Sequence, residues 1–161
     1  IAEYGKLFEN DPELAAEARL AASKVSDLST LLLRAPSPPR AREFNCTVTY
    51  HDACHLAHGM GVREAPRKLL NSIPGIRLIE LNESDLCCGS AGTFNLTEPA
   101  MSRELVRRKA DNIVATGADF VVLANPGCEF QIAAELRRRG SPIKAAHIAD
   151  FLAIVERGSA S

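Results

Sequence analysis

The sequence predicts an α/β fold: a Rossmann-like, open, mainly parallel sheet of about four strands flanked by helices. Three observations carry that prediction. From Cys46 onward, short strand-like runs alternate with longer segments of helical period. The run over 119–124 is continuously apolar, as in a parallel strand covered on both faces, rather than alternating as in a half-exposed one. Each run is followed by a loop and then a helix with an apolar stripe, the rhythm of βαβ units.

Taken in order, residues 12–33 read as an N-terminal helical arm in two parts. Asp11 is placed as N-cap with Pro12 in the first turn, and Asp27 starts the second part. The proline-rich stretch 36–40 cannot continue a helix and reads as an extended linker. The expected organisation is therefore an arm and linker over 1–43, a compact domain over 44–157 and a frayed tail over 158–161. A first strand is expected at 46–51 and a loop carrying Cys54 at 52–61. A helix near Glu64 then presents Leu69, Leu70 and Ile73, and Pro74-Gly75 ends it. The second strand, 76–81, leads to Cys87-Cys88-Gly89-Ser90-Ala91-Gly92. A helix over 98–116 follows, with Thr97 as N-cap and Met101, Leu105, Val106, Ala110, Ile113 and Val114 as its buried stripe. After the third strand, Asn125-Pro126-Gly127 turns the chain and Cys128 opens a helix. A fourth strand at 144–147 and a helix at 148–155 complete the pattern.

Composition excludes several classes. The 161 residues are 46% hydrophobic and 24% charged, with net charge −1 and no Trp, so nucleic acid is not an expected partner. No apolar run reaches the roughly 18–20 residues of a transmembrane helix, and no export leader precedes the domain. The chain begins at Ile1, which suggests a piece of a longer protein. Five cysteines without paired knuckle spacing do not read as a secreted disulfide framework, and a reducing, cytoplasmic setting is expected.

Four of those cysteines stand at strand ends: Cys54 after the first, Cys87 and Cys88 after the second, Cys128 after the third. In an open parallel sheet the carboxyl ends share one edge, which is where such sheets bind ligands. Residues scattered over 75 positions thus converge on one site. Gly89 and Gly92 permit positive φ, so backbone N–H groups can gather around an anion there. Four thiolates suit either zinc or an iron–sulfur cluster. An adjacent pair is awkward for one zinc ion, while in a cluster each sulfur can address a different iron. Adjacent cysteines also make a strained disulfide. Around Cys54, His55 is favoured over His51 and His58 as an additional ligand or a hydrogen-bond partner of a cluster. Cys46 reads as a buried small residue, and Arg103, Arg107, Arg108 and Lys109 as a solvated basic face. The glycine turn lacks the Gly-x-Gly-x-x-Gly dinucleotide pattern, and no catalytic triad or paired carboxylates emerge.

The pattern Cys-x32-Cys-Cys-Gly-x35-Asn-x-x-Cys resembles the cysteine-rich, or CCG, domain of heterodisulfide-reductase-type proteins. The segments 51–59, 87–92 and 124–128 are closer still to the iron–sulfur subunit of bacterial glycolate oxidase, as are 95–97, 111–113 and 116–119. The resemblance covers roughly 47–151. It implies a non-catalytic electron-transfer part of an oxidoreductase, passing electrons from flavin-containing subunits that oxidise glycolate to glyoxylate. It implies Cys54, Cys87, Cys88 and Cys128 as ligands of an iron–sulfur cluster of [4Fe-4S] type, with His55, Gly89, Gly92 and Asn125 around it. Asn125 stands where that motif has a further cysteine, and the ferredoxin-like segments of the full-length subunit are absent from this stretch. The missing ferredoxin-like portion and the flavin subunits become expected partners, with the assembly cytoplasmic or peripheral to the inner membrane. The alternatives are a structural zinc or scaffold domain, and a relative of the lactate-utilisation or heterodisulfide-reductase type.

Overall fold

The computed structural model describes residues 1–35 and 43–158. The linker expected at 36–40 and the tail expected beyond Gly158 lie outside the described residues.

Four strands form one sheet: β1 (Cys46–His51), β2 (Ile76–Ile79), β3 (Phe120–Leu123) and β4 (Lys144–His147). All neighbours pair in parallel, in the order β2-β1-β3-β4. The expected α/β class is therefore the observed one. β2 and β3 are each shorter than the sequence suggests, because the chain leaves the ladder to build the loops that follow.

Three helical crossovers connect the strands: α4 (Glu64–Asn71), α6 (Pro99–Thr116) preceded by the single turn α5 (Phe94–Thr97), and α7 (Pro126–Arg138). Helix α8 (Ile148–Arg157) closes the domain. Alternation along the strands divides the core in two. Val48, Tyr50, Phe120 and Val122 face α4 and α8, where Phe44, Phe120 and Phe151 meet at centroid distances of 5.3–6.4 Å. Val121 and Leu123 face α6 and α7, packing with Ala110, Ile113, Ile132 and Leu136. Each such fully buried side chain contributes about 1.5–3 kcal/mol, which fixes strand register and helix placement.

The N-terminal segment forms α1 (Tyr4–Leu7), α2 (Ala15–Ser23) and α3 (Leu28–Arg34). Asp27 caps α3 as expected, its Oδ1 accepting from the Ser29 and Thr30 N–H groups at 2.8 and 3.3 Å. Helix α3 lies against α4, and Leu32 packs on the main core. Asp11 accepts from the N–H groups of Glu13 and Leu14 at 2.9 Å, but this closes a turn, and α2 begins only at Ala15.

Three local expectations are corrected. Residues 52–61 are not all loop, since His55–Gly59 forms a π-helical turn. Helix α6 starts at Pro99 rather than at Glu98, and Thr97 belongs to α5, because proline favours the first helical position and has no N–H to cap. Met101 and Val114 are exposed, and the buried stripe of α6 runs Ser102, Val106, Lys109, Ala110, Ile113. The stripe is rotated because half of it covers the cysteine loop instead of the apolar core.

From β1 the chain turns towards β2, and from β3 it turns the other way, towards β4. The loops after β1 and β3 therefore diverge above two adjacent strands. That is the topological switch point, where open α/β sheets form a crevice. His51 and Leu123, the last residues of β1 and β3, pair across it.

Candidate metal centre

All five cysteines are free thiols. The loop after β1 carries Cys54 at the mouth of the π-helical turn, the loop after β2 carries Cys87 and Cys88, and α7 carries Cys128 in its first turn. The ligand atoms of Cys88, Cys128 and His51 all lie within 4.8 Å of one another, and all three side chains are buried. Cys54 and Cys87 are half-buried at the margin of this group. The charge of Cys54 acts on both Cys87 and Cys128, which places the four thiols in one electrostatic neighbourhood.

Local chemistry explains each placement. Asn125 rather than Cys128 opens α7: its Oδ1 accepts from the Cys128 N–H at 3.2 Å and Pro126 occupies the first helical position. Its amide also donates to His55 Nδ1 at 3.2 Å, so Asn125 ties the loop after β3 to the loop after β1. Gly89 has φ 85°, and a Cβ there would stand 2.6 Å from the Ser102 carbonyl oxygen. The glycine is thus required twice, by conformation and by space. Ser102 Oγ donates to the Gly89 carbonyl at 2.8 Å and accepts from Gln131 at 3.0 Å, which pins the turn to α6 and α7 together. The Gly89 N–H in turn donates to Cys87 Sγ at 3.3 Å. Gly92 also has positive φ, 52°, with open space around it.

The approach to the paired cysteines is clamped from below. Glu83 holds φ 52°, the single positive φ outside glycine among the described residues. Its carboxylate accepts from Arg108 and from Asn112, and its carbonyl from Lys109 Nζ. A strained residue held by three side chains of one helix is over-determined, as functional loops often are. Lys109 belongs to this clamp and not to a solvated face: its side chain is fully buried, and Nζ also donates to the Ser84 carbonyl at 3.1 Å. Burial pushes its pKa down to about 8. Its position was legible in principle, since it shares the i, i+3, i+4 phase of Val106, Ala110 and Ile113.

The Ser84 carbonyl is a hub. Besides Lys109 it accepts the Asp52 N–H at 3.1 Å and His51 Nδ1 at 3.1 Å. Asp52 is buried and forms a bidentate pair with Arg67 at 2.8 and 2.9 Å. Burial alone would raise the carboxyl pKa, but the Arg67 bonds hold it below its ordinary value. Asp85 receives Arg63 at 3.3 Å and lies 3.8 Å from His58, which ties the loops after β1 and β2 together at the surface.

Electrostatics separates the thiols. The Cys128 thiol hydrogen-bonds to Cys88 and, against the effect of burial and together with His51 and with Ser90 Oγ at 3.1 Å, draws the Cys88 pKa well below the thiol range. Cys128 is correspondingly pushed up by Cys88 and by burial, and Cys87 by burial. An arrangement in which one buried thiol is acidified and its neighbours release their protons only as a Lewis acid takes their place on sulfur suits a metal or cluster. A concavity of about 730 Å³ lies elsewhere, at the opposite edge of the sheet beside Phe44, Cys46 and Asp119. It holds no comparable donor set.

Of the expected surroundings, His55 and Asn125 contact each other, while Gly89 and Gly92 shape the loop. His51, ranked below His55 from sequence, is the histidine the fold brings to Cys88 and Cys128.

Fold and site together define a parallel α/β domain built around a cysteine donor set. The family model described as the cysteine-rich domain, CCG, matches residues 48–133, and the chain belongs to that family. Among curated relatives, it is 34% identical over 151 residues to lactate utilization protein A of Lysinibacillus sphaericus, covering 93% of this chain and 66% of that protein. It is 35% identical to lactate utilization protein A of Oceanobacillus iheyensis, covering 94% and 63%. To the probable glycolate oxidase iron-sulfur subunit of Bacillus subtilis it is 37% identical over 156 residues, covering 94% of this chain and 35% of the relative. The chain thus spans a little under two thirds of the first two relatives and about one third of the last.

Proposed function

We propose that this chain is the cysteine-rich part of an iron–sulfur redox subunit, relaying electrons within a complex that oxidises a small 2-hydroxy acid. What supports the reading is that the four free cysteines follow the ends of β1, β2 and β3, with the ligand atoms of Cys88, Cys128 and His51 within 4.8 Å of one another. Cys54, Cys87, Cys88 and Cys128 would hold the group. The donor set fits it: soft thiolates, a buried histidine nitrogen within 4.8 Å of two of them, and a glycine turn in which Gly92 has open space around it. Once bound, a cluster of [4Fe-4S] type would supply one-electron storage. The chain itself supplies the rest. Ser102 and Lys109 hold the loop of the paired cysteines, Asn125 orients Cys128, and the α6/α7 core excludes water from Cys88.

Glycolate is the substrate we favour for the complex, with flavin-containing subunits as electron donors and a ferredoxin-like portion of the same subunit as the next carrier. Relatives named for lactate utilization make lactate, another 2-hydroxy acid, the second reading. Five free thiols fit a reducing, cytoplasmic compartment. No helix among the described residues is long and apolar enough to cross a membrane. The chain acts on this reading as a carrier and carries out no bond-breaking step itself.

The test is iron, acid-labile sulfide and zinc per chain after anaerobic reconstitution, with EPR in both redox states. Near-equal iron and sulfide with a redox-dependent signal is expected, lost in Cys88→Ser and retained in Cys46→Ser. Tight, redox-silent zinc in place of iron would convert the domain to a structural scaffold, and full cluster content in Cys88→Ser would remove the assigned ligand.

A further inference from the structure

We propose that His51 is a metal ligand of this centre, its Nε2 joining the sulfurs of Cys88 and Cys128. The inference deepens the proposed function and rests on it only for the identity of the metal group.

His51 Nδ1 lies 3.1 Å from the Ser84 carbonyl oxygen, which can only accept, so Nδ1 carries the proton. In the neutral ring Nε2 then carries a lone pair. The side chain is 1% exposed, and Nε2 is buried with no hydrogen-bond partner of normal geometry, turned instead towards the Cys88 sulfur, on which it acts. An orphaned buried acceptor costs free energy that a fold seldom leaves uncompensated. His51 is also the last residue of β1, at the switch point, within 4.8 Å of both buried sulfurs. A ligating histidine commonly donates its other N–H to a backbone carbonyl, which fixes ring orientation. Ser84 provides that carbonyl, and the Asp52 N–H and Lys109 Nζ hold it in place.

The other nearby histidines are already engaged. His55 is exposed and its Nδ1 accepts from Asn125, while His58 is exposed beside Asp85 and Arg63. Asn125 uses its carboxamide oxygen to cap α7 and its amide on His55, so it is occupied as a structural group. The donor set is therefore mixed, sulfur with one imidazole. A neutral imidazole brings a donor to the centre without adding a further negative charge, as a fifth thiolate would.

The experiment uses the full chain with histidine rings labelled with ¹⁵N, and two probes: Co²⁺ alone, and iron with sulfide. His51→Asn keeps an amide N–H where Nδ1 stands, preserving the bond to Ser84, and deletes only the Nε2 donor. Co²⁺ affinity is expected to fall at least about tenfold in His51→Asn and to stay within about twofold in His55→Asn. The reduced cluster is expected to show a ¹⁵N-sensitive hyperfine coupling in pulsed EPR that His51→Asn abolishes. A cluster that forms without this coupling, or keeps it in His51→Asn, overturns the inference and leaves the iron–sulfur reading standing. His51-dependent Co²⁺ binding without cluster formation does the reverse. A chain that takes up neither probe overturns both. Should His51→Asn fail to fold, the labelled wild-type spectrum decides alone.

Discussion

The two edges of the sheet are built from similar residues and behave in opposite ways. At the carboxyl edge, Cys88 is drawn down by Cys128 and held on a turn that two helices pin. At the amino edge, burial and the nearby Asp119 push Cys46 up to about 11, so that thiol keeps its proton. Polar groups differ likewise. The carboxyl edge satisfies buried carbonyls with a buried lysine. The amino edge relies on an outer network in which Glu135 receives Arg138 and Arg139, and Arg139 also reaches Asp111. The loop and helix start around a cysteine decide how acidic its thiol is, and one sheet holds both kinds.

If that contrast is right, damage at the carboxyl edge costs more. Gly89→Ala should be the severest change, since it combines φ 85° with a Cβ set against the Ser102 carbonyl. A loss of at least about 3 kcal/mol is expected in denaturant unfolding. A loss under 1 kcal/mol would mean the turn is loosely held. Lys109→Met should come next, at about 2–4 kcal/mol, because two carbonyls lose their shared donor. It also has a pH signature. The folded lysine titrates near 8, below its ordinary 10.5, so between those values the unfolded chain binds a proton that the folded chain does not. Wild-type stability should therefore gain on the variant as pH rises through that window. An unchanging difference between the two curves would refute the buried ammonium.

The mildest change belongs to the amino edge. The Arg138 bonds, then Arg139, hold Glu135 at about 2, against an ordinary 4.5. Its contribution is fully present above 4.5 and is lost as pH falls towards 2. Glu135→Gln should cost about 1 kcal/mol at pH 7 and nothing measurable near pH 2. Thermal midpoints at the two pH values would check this, and a cost equal to that of Lys109→Met would erase the contrast between the edges.

The sheet was readable because its signal is additive. The 119–124 run and the stripes of α4 and α7 each repeat one preference over several residues. The convergence of Cys54, Cys87, Cys88 and Cys128 at one edge followed from topology alone. What escaped depends on single contacts across long sequence distances. Lys109 looks like one of four basic residues until α6 is rotated over the loop after β2. His51 looks weaker than His55 until Ser84 takes its Nδ1 and the fold sets the ring beside Cys88 and Cys128. The π-helical turn at His55–Gly59 has no marker in composition, since one extra residue in a helical turn alters no periodicity over so short a span.

The strand order carries a consequence in time. β1 pairs with β2, some 30 residues on, and with β3, whose register places Val48 against Phe120. During synthesis one flank of β1 therefore stays bare until residues 120–123 emerge, and Cys128 follows only a few residues later. Parallel pairings over such separations close late in folding. Cys54, Cys87 and Cys88 wait as loose thiols on an unfinished sheet, and the step that covers the second flank of β1 also brings in Cys128. The cysteines are gathered by the central pairing, before β4 and α8 complete the domain.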